Sequence, residues 1–198
     1  MSVTCVSYTA EGWGVGEVWH DGTRLVWHEL PRPLAAPSIP SIGTRARART
    51  RACETPSQGG VDHPPPSEST IPANRSRVRR SSVPKLESLL GRLQEYFDGA
   101  RIEFSDVEIE VEGWTQFQRD VLAALRGVPY GEVVSYSDLA RLAGYPRAQR
   151  AAGTFCARNR FPLVVPCHRV VSANGLGAYP GLGVDYKRRL LGLEGVTF

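Results

Sequence analysis

The sequence lacks any long apolar run, and no stretch approaches the roughly 20 consecutive apolar residues that a membrane-spanning helix needs. Residues 1–5 also lack the charged segment, followed by an apolar one, that is typical of a secretory signal. We therefore expect a cytoplasmic protein with no membrane partner.

Cysteine is scarce as well. The 198 residues include four cysteines whose positions show no paired spacing: Cys5, Cys53, Cys156 and Cys167. A chain of this length can bury a real core without disulfides, which excludes the disulfide framework of a small secreted domain. Reduced thiols agree with a reducing compartment.

Apolar periodicity is missing from residues 35–84, which are rich in Pro, Ser, Thr and Arg. Such a segment cannot bury enough surface to offset the entropy of ordering, so we predict a disordered linker. Its arginines, such as Arg45, Arg47 and Arg79, are compatible with an arm that attracts DNA. No aromatic residues interleave them, which favours a solvated insert.

The net charge of +4 is unevenly distributed. Residues 86–112 carry eight carboxylates against two arginines, whereas residues 113–198 carry eleven Arg and Lys against five Asp and Glu. The basic segment is therefore the natural candidate to bind a polyanion. Together with the linker, the pattern divides the chain into four regions: residues 1–34, 35–84, 85–112 and 113–198.

The regions on either side of the linker predict a β-then-α unit. Three segments with strand-like patterns are joined by turns that contain glycine: residues 3–8, 15–20 and 23–28. Apolar residues then recur at helical spacing from Leu86 to Phe97, and Gly99 ends that helix. We expect residues 1–34 and 85–112 to form one N-terminal domain of sheet and helix.

The basic region predicts a series of helices. Apolar spacing from Phe117 to Leu125 indicates the first. Ser135 has the chemistry of an N-cap for a short helix that runs through Ala143, and residues 147–158 predict a further helix rich in small residues. Such a helix-turn-helix either packs into a core or binds DNA, and its place in the basic segment favours DNA.

A thiol and an imidazole stand side by side in Cys167-His168. The apolar run at residues 163–165 predicts a buried strand that ends just before them, and Pro166 stiffens the backbone on the N-terminal side. A nearby histidine can lower the pKa of a cysteine and so raise its thiolate fraction. Taken alone, the pair is more typical of a buried, inert cysteine, so the neighbouring motifs must decide.

Five motifs follow one another in the second half of the chain: Val128-Pro129-Tyr130-Gly131-Glu132-Val133-Val134-Ser135-Tyr136, Arg150-Ala151-Ala152-Gly153, residues 159–162, Pro166-Cys167-His168-Arg169-Val170, and Tyr186-Lys187-Arg188-Arg189-Leu190-Leu191 with Glu194-Gly195. Together, in this order and spacing, they are specific. The sequence resembles the O6-alkylguanine-DNA alkyltransferases, also called methylated-DNA–protein-cysteine methyltransferases. The resemblance is strong over residues 84–198 and weak over residues 1–34.

This resemblance implies an α/β protein of the α+β kind. A ribonuclease-H-like domain of sheet and helix would precede a winged-helix-like, helix-turn-helix domain that holds the reactive cysteine. The implied activity is repair: a guanine alkylated at O6 is flipped out of double-stranded DNA, and its alkyl group moves to Cys167 by in-line displacement. Because a thioether has no ready leaving route, each molecule would act once, without a cofactor.

The resemblance also assigns roles around the thiol. His168 is the proton acceptor that reaches Cys167 through water, and Glu194 orients its imidazole. Asn159 hydrogen bonds backbone near the active site, while Tyr136 assists flipping and donates a proton to the leaving guanine. The carbonyls of Cys167 and Val170 would accept from the guanine amine. Four residues are expected to line the substrate pocket: Cys156, Cys167, Val170 and Tyr179.

The expected DNA contacts lie on the helix-turn-helix. Arg150 matches the arginine that enters the base stack and fills the space of the flipped base, a role that suits a planar cation. The family lays this helix in the minor groove, where small residues allow close approach. The other DNA-contacting residues implied are Ser135, Tyr136, Arg147, Ala148, Ala151 and Arg158.

Three features distinguish this chain from other members of the family. The loop at residues 175–183 is rich in glycine, but its tyrosine and glycines stand in an unusual order, which leaves the width of the pocket open. Cys156 is expected to fill space and not to accept alkyl groups. Some relatives carry an N-terminal zinc, but here we expect no metal, because the available ligands show no recognisable spacing: Cys5, His20, His28, Cys53 and His63.

Three other functions share parts of this pattern. A lesion binder without turnover needs no reactive cysteine, and a cysteine hydrolase turns over repeatedly and has no use for the helix pair. A helix-turn-helix transcription regulator would bind a specific DNA sequence whether or not Cys167 is present. We expect instead a monomeric repair protein whose partner is double-stranded DNA that contains O6-alkylguanine.

Overall fold

The computed structural model describes residues 3–33 and 84–198. The predicted linker, except for Pro84, lies outside these residues, as do its arginines, Cys53 and His63. In chain order, the elements are β1 (Thr4–Ala10), β2 (Gly14–His20), β3 (Leu25–Arg32), α1 (Pro84–Phe97), α2 (Gln116–Arg126), β4 (Val134–Ser135), α3 (Tyr136–Leu142), α4 (Gln149–Ala157), a 3-10 turn (Cys167–Arg169), β5 (Val170–Val171) and α5 (Val184–Leu193).

The first three strands form an antiparallel meander in the order β1-β2-β3, which confirms the three predicted strands with shifted ends. The third begins at Leu25, two residues later than expected. The reason is a turn, in which the Asp21 carboxylate accepts hydrogen bonds from the backbone N–H groups of Thr23 and Arg24. This local capping takes both residues out of the strand.

α1 packs its apolar face on the meander. Leu93 and Phe97 are buried in the core, as the helical spacing predicts. Trp13, in the turn between β1 and β2, lies 5.0 Å from the Phe97 ring and 5.1 Å from the Tyr186 ring of α5, measured between ring centroids. The N-terminal strands, α1 and the last helix therefore share one core.

Within the basic region, the two helices predicted after Ser135 are present as α3 and α4, joined by a turn. Ser135 is the N-cap of α3, where its hydroxyl accepts from the backbone N–H of Asp138 over 3.0 Å. Gly144, with φ of +88°, turns the chain between α3 and α4. The short parallel pair of β4 and β5 then joins Val134 to Val170, so the start of α3 is fixed next to the Cys-His motif.

The prediction of a strand at residues 163–165 is wrong. The run is buried, but it forms a turn in which the Val165 N–H donates to the Phe161 carbonyl over 2.7 Å. Leu163 has φ of +69°, in the left-handed region that a strand cannot contain. A short apolar run reports burial and not backbone conformation, which explains the error. Cys167 consequently opens a 3-10 turn and does not end a strand.

The described residues thus form two small sheets and five helices, in agreement with the mixed α/β class expected from the sequence. None of these helices, within the part of the chain that is described, is long and apolar enough to cross a membrane.

Candidate active site

Cys167 is a buried thiol held by Asn159. The side-chain amide of Asn159 donates to the Cys167 Sγ over 3.1 Å and to the Val165 carbonyl over 2.7 Å. Its oxygen accepts from the Phe161 N–H over 3.0 Å, and the Cys167 N–H donates to the Val165 carbonyl over 2.8 Å. Asn159 therefore ties the start of the turn to the sulfur at its end.

Burial raises the pKa of Cys167, so the unbound protein holds a thiol and not a thiolate. The hydrogen bond from Asn159 and the positive charge of Lys187 oppose that rise. The neighbouring histidine does not offset this rise in the unbound protein, because His168 is turned toward Glu194 and the desolvation of a fully buried sulfur dominates.

Tyr179 also lies against the thiol. Its hydroxyl is buried, and it lies close enough to the sulfur to oppose the rise in the pKa of Cys167. Burial, followed by the charge that Cys167 would carry, raises the pKa of Tyr179 well above its usual value. The hydroxyl is therefore a buried donor beside the sulfur. This places Tyr179 near Cys167, as expected of two residues of one pocket.

His168 and Glu194 form a buried pair. His168 Nε2 donates to Glu194 Oε1 over 2.8 Å, and both side chains are fully enclosed. The carboxylate accepts a hydrogen bond from Nε2, so Nε2 carries the ring hydrogen. In the neutral imidazole Nδ1 is therefore unprotonated, and it has no hydrogen-bond partner among the described residues. Burial lowers the pKa of His168 against the opposing pull of Glu194, so the ring is neutral at neutral pH.

Three further groups hydrogen bond to the carboxylate of Glu194. Arg169 donates from Nε to Oε2 over 2.9 Å and from Nη2 to Oε1 over 3.0 Å. The Tyr96 hydroxyl donates to Oε1 over 2.7 Å, and the Gly131 N–H donates to Oε2 over 3.2 Å. Although burial alone would raise the pKa of Glu194, hydrogen bonds from His168 and Arg169 lower it to about 2. Glu194 is therefore a fully ionised group beside the imidazole.

Lys187 is a buried lysine behind the thiol. Its ammonium donates to the Val170 carbonyl over 2.5 Å and to the Leu176 carbonyl over 2.6 Å. Burial lowers the pKa of Lys187, and charges at Cys167 and Cys156 would raise it. The family resemblance implies that the Val170 carbonyl accepts a hydrogen bond from the guanine amine. Because Lys187 already occupies one lone pair of this oxygen, only the second lone pair is available for that bond.

Tyr136, the first residue of α3, is half-buried against two glycines. A Cβ at Gly153 of α4 would lie 3.7 Å from its ring, and a Cβ at Gly177 would lie 3.5 Å from it. Burial, and then the charges that Cys156 and Cys167 would carry, raise the pKa of Tyr136. The structure thus brings Tyr136 and the buried Cys156 near the thiol of Cys167.

The expected DNA-contacting residues lie on the surface around α4. Arg147, Arg150 and Arg158 are exposed, and none of them forms an ion pair with the described residues. Ala151 is exposed, whereas Ala148, the N-cap of α4, is half-buried. Three cations and a small residue on or next to α4 are therefore open to solvent. Ser135 is half-buried, and its hydroxyl also donates to the Asp138 carboxylate.

The sequence patterns missed three of the residues that build this site. Arg169 and Lys187 belong to two of the sequence motifs described above, but the motifs gave them no role. Arginine and lysine side chains are usually exposed, so a buried structural role was not expected. Tyr96 lies on α1, 98 positions before Glu194, and only its place on the buried face of that helix could have signalled it. Within the described residues, no cluster of His, Cys, Asp or Glu could hold a metal ion.

The sequence and the fold of this chain are similar to those of known proteins. The sequence profile described as the DNA binding domain of 6-O-methylguanine DNA methyltransferase matches residues 116–196. The methylated-DNA–protein-cysteine methyltransferase of Methanopyrus kandleri is 43% identical over 131 residues, which cover 66% of this chain and 91% of that protein. The constitutive enzyme of the same name from Bacillus subtilis is 42% identical over 122 residues, covering 61% and 73%.

Solved structures extend the match to the whole chain. The O6-methylguanine methyltransferase of Mycobacterium tuberculosis superposes with a TM-score of 0.64 at 28% identity, covering 96% of this chain and 93% of that one. The structure titled as the same organism's OGT in complex with DNA gives a TM-score of 0.62 at 30% identity, covering 96% and 91%. The Methanopyrus kandleri protein is 43% identical to this chain, and the match covers 91% of its length. The chain therefore belongs to the methylated-DNA–protein-cysteine methyltransferase family.

Proposed function

We propose that this protein repairs O6-alkylguanine in double-stranded DNA by moving the alkyl group to its own Cys167, once per molecule. The observation that carries the proposal is the buried thiol of Cys167, which accepts a hydrogen bond from Asn159 next to the His168–Glu194 pair. In the transfer, the bond from the alkyl carbon to guanine O6 breaks as the bond to sulfur forms. The product is an S-alkylcysteine, which has no ready route back.

His168 takes the thiol proton in this proposal. Its Nε2 is hydrogen bonded to Glu194, so Nδ1 is the nitrogen that can accept, through a bridging water. The imidazolium that forms would lie against an ionised carboxylate, which stabilises its charge. Tyr136 would supply the proton that guanine needs as it leaves, and the proton taken up by His168 would return through water to restore the Tyr136 hydroxyl.

Because the pKa of Cys167 is raised, the thiol stays protonated until a substrate base enters the pocket. A thiol paired with a neutral imidazole is stable in the unbound protein, so the reactive thiolate need not persist in solvent. A base that enters the pocket would displace water and align the alkyl carbon with the sulfur. Deprotonation would then accompany the displacement.

DNA would bind along the surface that carries Arg147, Arg150 and Arg158. A flipped base needs a side chain to fill its place in the stack, and the exposed guanidinium of Arg150 on α4 suits that role. Ala151, next to it, would let the helix approach the minor groove closely. We propose that the protein works as a monomer in the cytoplasm.

We also propose the domain division expected from the sequence. Residues 1–34 and 85–112 would form a ribonuclease-H-like domain, and residues 113–198 a winged-helix-like one, with residues 35–84 as the linker. The first grouping is supported by backbone hydrogen bonds across the linker: the Leu25 N–H donates to the Glu108 carbonyl over 2.8 Å, and the Glu110 N–H donates to the Leu25 carbonyl over 2.9 Å.

Mass spectrometry of protein incubated with duplex DNA that carries O6-methylguanine tests the proposal. We expect one methyl group on the peptide that contains Cys167, and the same result with the Cys156→Ala variant, which serves as the matched control. A methyl group on Cys156, or an unmodified protein after loss of the lesion, would contradict it.

A variant at the proton acceptor tests the route. His168→Ala should slow alkyl transfer while DNA affinity stays nearly unchanged, because the ring is fully buried and cannot contact DNA at the surface. An unchanged rate would remove His168 from the proton route. A transcription regulator, one of the alternatives, would instead show sequence-specific affinity that Cys167→Ala leaves intact.

A further inference from the structure

His28 of β3 reaches across the molecule to the turn that precedes Cys167. Its backbone N–H donates to the Arg160 carbonyl over 2.9 Å, and its Nδ1 donates to the Pro162 carbonyl over 2.7 Å. On the other side of the ring, Nε2 lies 2.8 Å from the hydroxyl of Tyr8 in β1. The side chain is 2% exposed, so water does not compete for these bonds.

These contacts define the protonation of the ring. A carbonyl oxygen only accepts, so Nδ1 must carry hydrogen toward Pro162. Burial lowers the pKa of His28 to about 4, and the ring is therefore neutral, with a bare Nε2 that accepts from the Tyr8 hydroxyl. Gly16 makes room for this arrangement, because a Cβ there would lie 2.6 Å from the Tyr8 ring.

The turn that His28 contacts is strained. Leu163, directly after Pro162, has φ of +69°, a conformation that non-glycine residues adopt only when their surroundings impose it. Asn159 holds the turn from inside, through Val165 and the sulfur of Cys167. His28 holds the same turn from outside, through the two carbonyls that come just before Leu163.

We propose that His28 is a positioning residue for alkyl transfer. By binding the Arg160 and Pro162 carbonyls, it keeps the turn in the conformation in which Asn159 reaches Cys167. The N-terminal strands would thus take part in the reaction through the backbone of the turn. This inference rests on the proposed role of Cys167 as the alkyl acceptor.

Nitrogen NMR of the imidazoles tests the geometry without any reaction. At pH 7, His28 should show a protonated Nδ1 and a bare Nε2, and in Tyr8→Phe the Nε2 resonance should shift while Nδ1 stays protonated. A ring protonated at Nε2, or one that exchanges between the two forms, would overturn the proposal.

Three variants distinguish an effect of His28 on the position of Cys167 from an effect on the stability of the fold alone. His28→Leu removes both side-chain hydrogen bonds, His28→Asn keeps an amide donor near the position of Nδ1, and Tyr8→Phe keeps the bond to Pro162. At saturating DNA, His28→Leu should transfer the methyl group about 10- to 100-fold more slowly, the scale expected for a misplaced reacting group, with DNA affinity unchanged. His28→Asn and Tyr8→Phe should recover most of the rate.

Iodoacetamide labelling of Cys167 against pH gives a readout that needs no DNA. Loss of the hydrogen bond from Asn159 destabilises the thiolate, so the midpoint of labelling should move to higher pH in His28→Leu and return in His28→Asn. Thermal melting of each variant shows whether it is folded. An unmoved midpoint in folded His28→Leu, or a rate that follows melting temperature across all three variants, would overturn the proposal. Wild-type protein that labels as expected but leaves O6-methylguanine intact would instead contradict the proposed function.

Discussion

Arg169 donates two hydrogen bonds to Glu194, from Nε to Oε2 and from Nη2 to Oε1, and both side chains are buried. A third bond, from Nη1 to the Val128 carbonyl over 2.7 Å, fixes the guanidinium itself. Glu194 can therefore neither rotate nor take up a proton easily. The imidazole of His168, one residue before Arg169 in the chain, is oriented by this fixed carboxylate.

Replacing Arg169 tests how much the carboxylate depends on it. Arg169→Met should lower the free energy of unfolding by about 3–5 kcal/mol, because it leaves a buried carboxylate without its charged partner. Urea denaturation measures the change. The control, Arg188→Met, removes a mostly exposed partner of Asp185 and should cost less than about 1 kcal/mol. Equal losses in the two variants would contradict the role of burial.

Tyr96 should matter for the reaction more than for stability. Tyr96→Phe removes one hydrogen bond to Glu194, with an expected loss of about 1–2 kcal/mol in the free energy of unfolding. Alkyl transfer at saturating DNA should slow, since the carboxylate loses one of the donors that orient it. Single-turnover kinetics provide the measurement.

Tyr145→Phe is the matched control for Tyr96→Phe. It removes a hydrogen bond of 2.8 Å to another carboxylate, that of Asp120, on a different part of the molecule. Its transfer rate at saturating DNA should equal that of the wild type. If both variants slow equally, the effect of Tyr96 does not act through Glu194.

Lys187 should tune the acidity of the thiol. Its positive charge lowers the pKa of Cys167, so Lys187→Met, which keeps the length of the side chain, should raise that pKa further. At a fixed pH the thiolate fraction then falls, and the midpoint of thiol labelling against pH moves upward. The control, Arg188→Met, lies on the exposed side of the same helix and should leave the midpoint unchanged. An equal shift in both variants would show that the loss of any positive charge, and not the buried position of Lys187, changes the pKa of Cys167.

Acid should destabilise the protein through its buried histidines. His28 has a pKa of about 4 when folded and an ordinary value near 6.5 when unfolded, so the unfolded state binds the proton first as pH falls. The stability that a neutral His28 contributes is complete above about pH 7 and is lost progressively down to pH 4, by about 3 kcal/mol in total.

His28→Asn removes this titration and should flatten the dependence of unfolding free energy on pH between 7 and 4. His168, whose pKa burial also lowers, contributes in the same direction in both proteins. Urea denaturation at a series of pH values provides the comparison. Identical slopes for the wild type and His28→Asn would contradict a neutral, buried His28.

Local sequence patterns were sufficient to predict most of the secondary structure. The strands of the meander, α1 and the helix-turn-helix all follow from periodicity, glycine positions and caps such as Ser135. The backbone of residues 163–165 could not be predicted this way, because its conformation is imposed by contacts with distant parts of the chain. His28 makes two of those contacts from about 130 residues away.

The site was predictable only where one motif contains the partners or the family resemblance supplies them. Cys167, His168 and Asn159 stand close together in the sequence, and the resemblance implied Glu194. The pairing of Tyr96 with Glu194 joins residues 98 positions apart, and nothing in either segment indicates the other. The raised pKa of Cys167 is a property of burial, which depends on the complete core and not on the neighbouring histidine.

The amount of methyl group transferred per mole of protein, followed over time with O6-methylguanine DNA in excess, tests the central claim most directly. A buried thiol that becomes a thioether should give a plateau at about one equivalent, with Cys167→Ser giving none. Transfer that continues beyond one equivalent, or that persists in Cys167→Ser, would contradict Cys167 as the single-use acceptor.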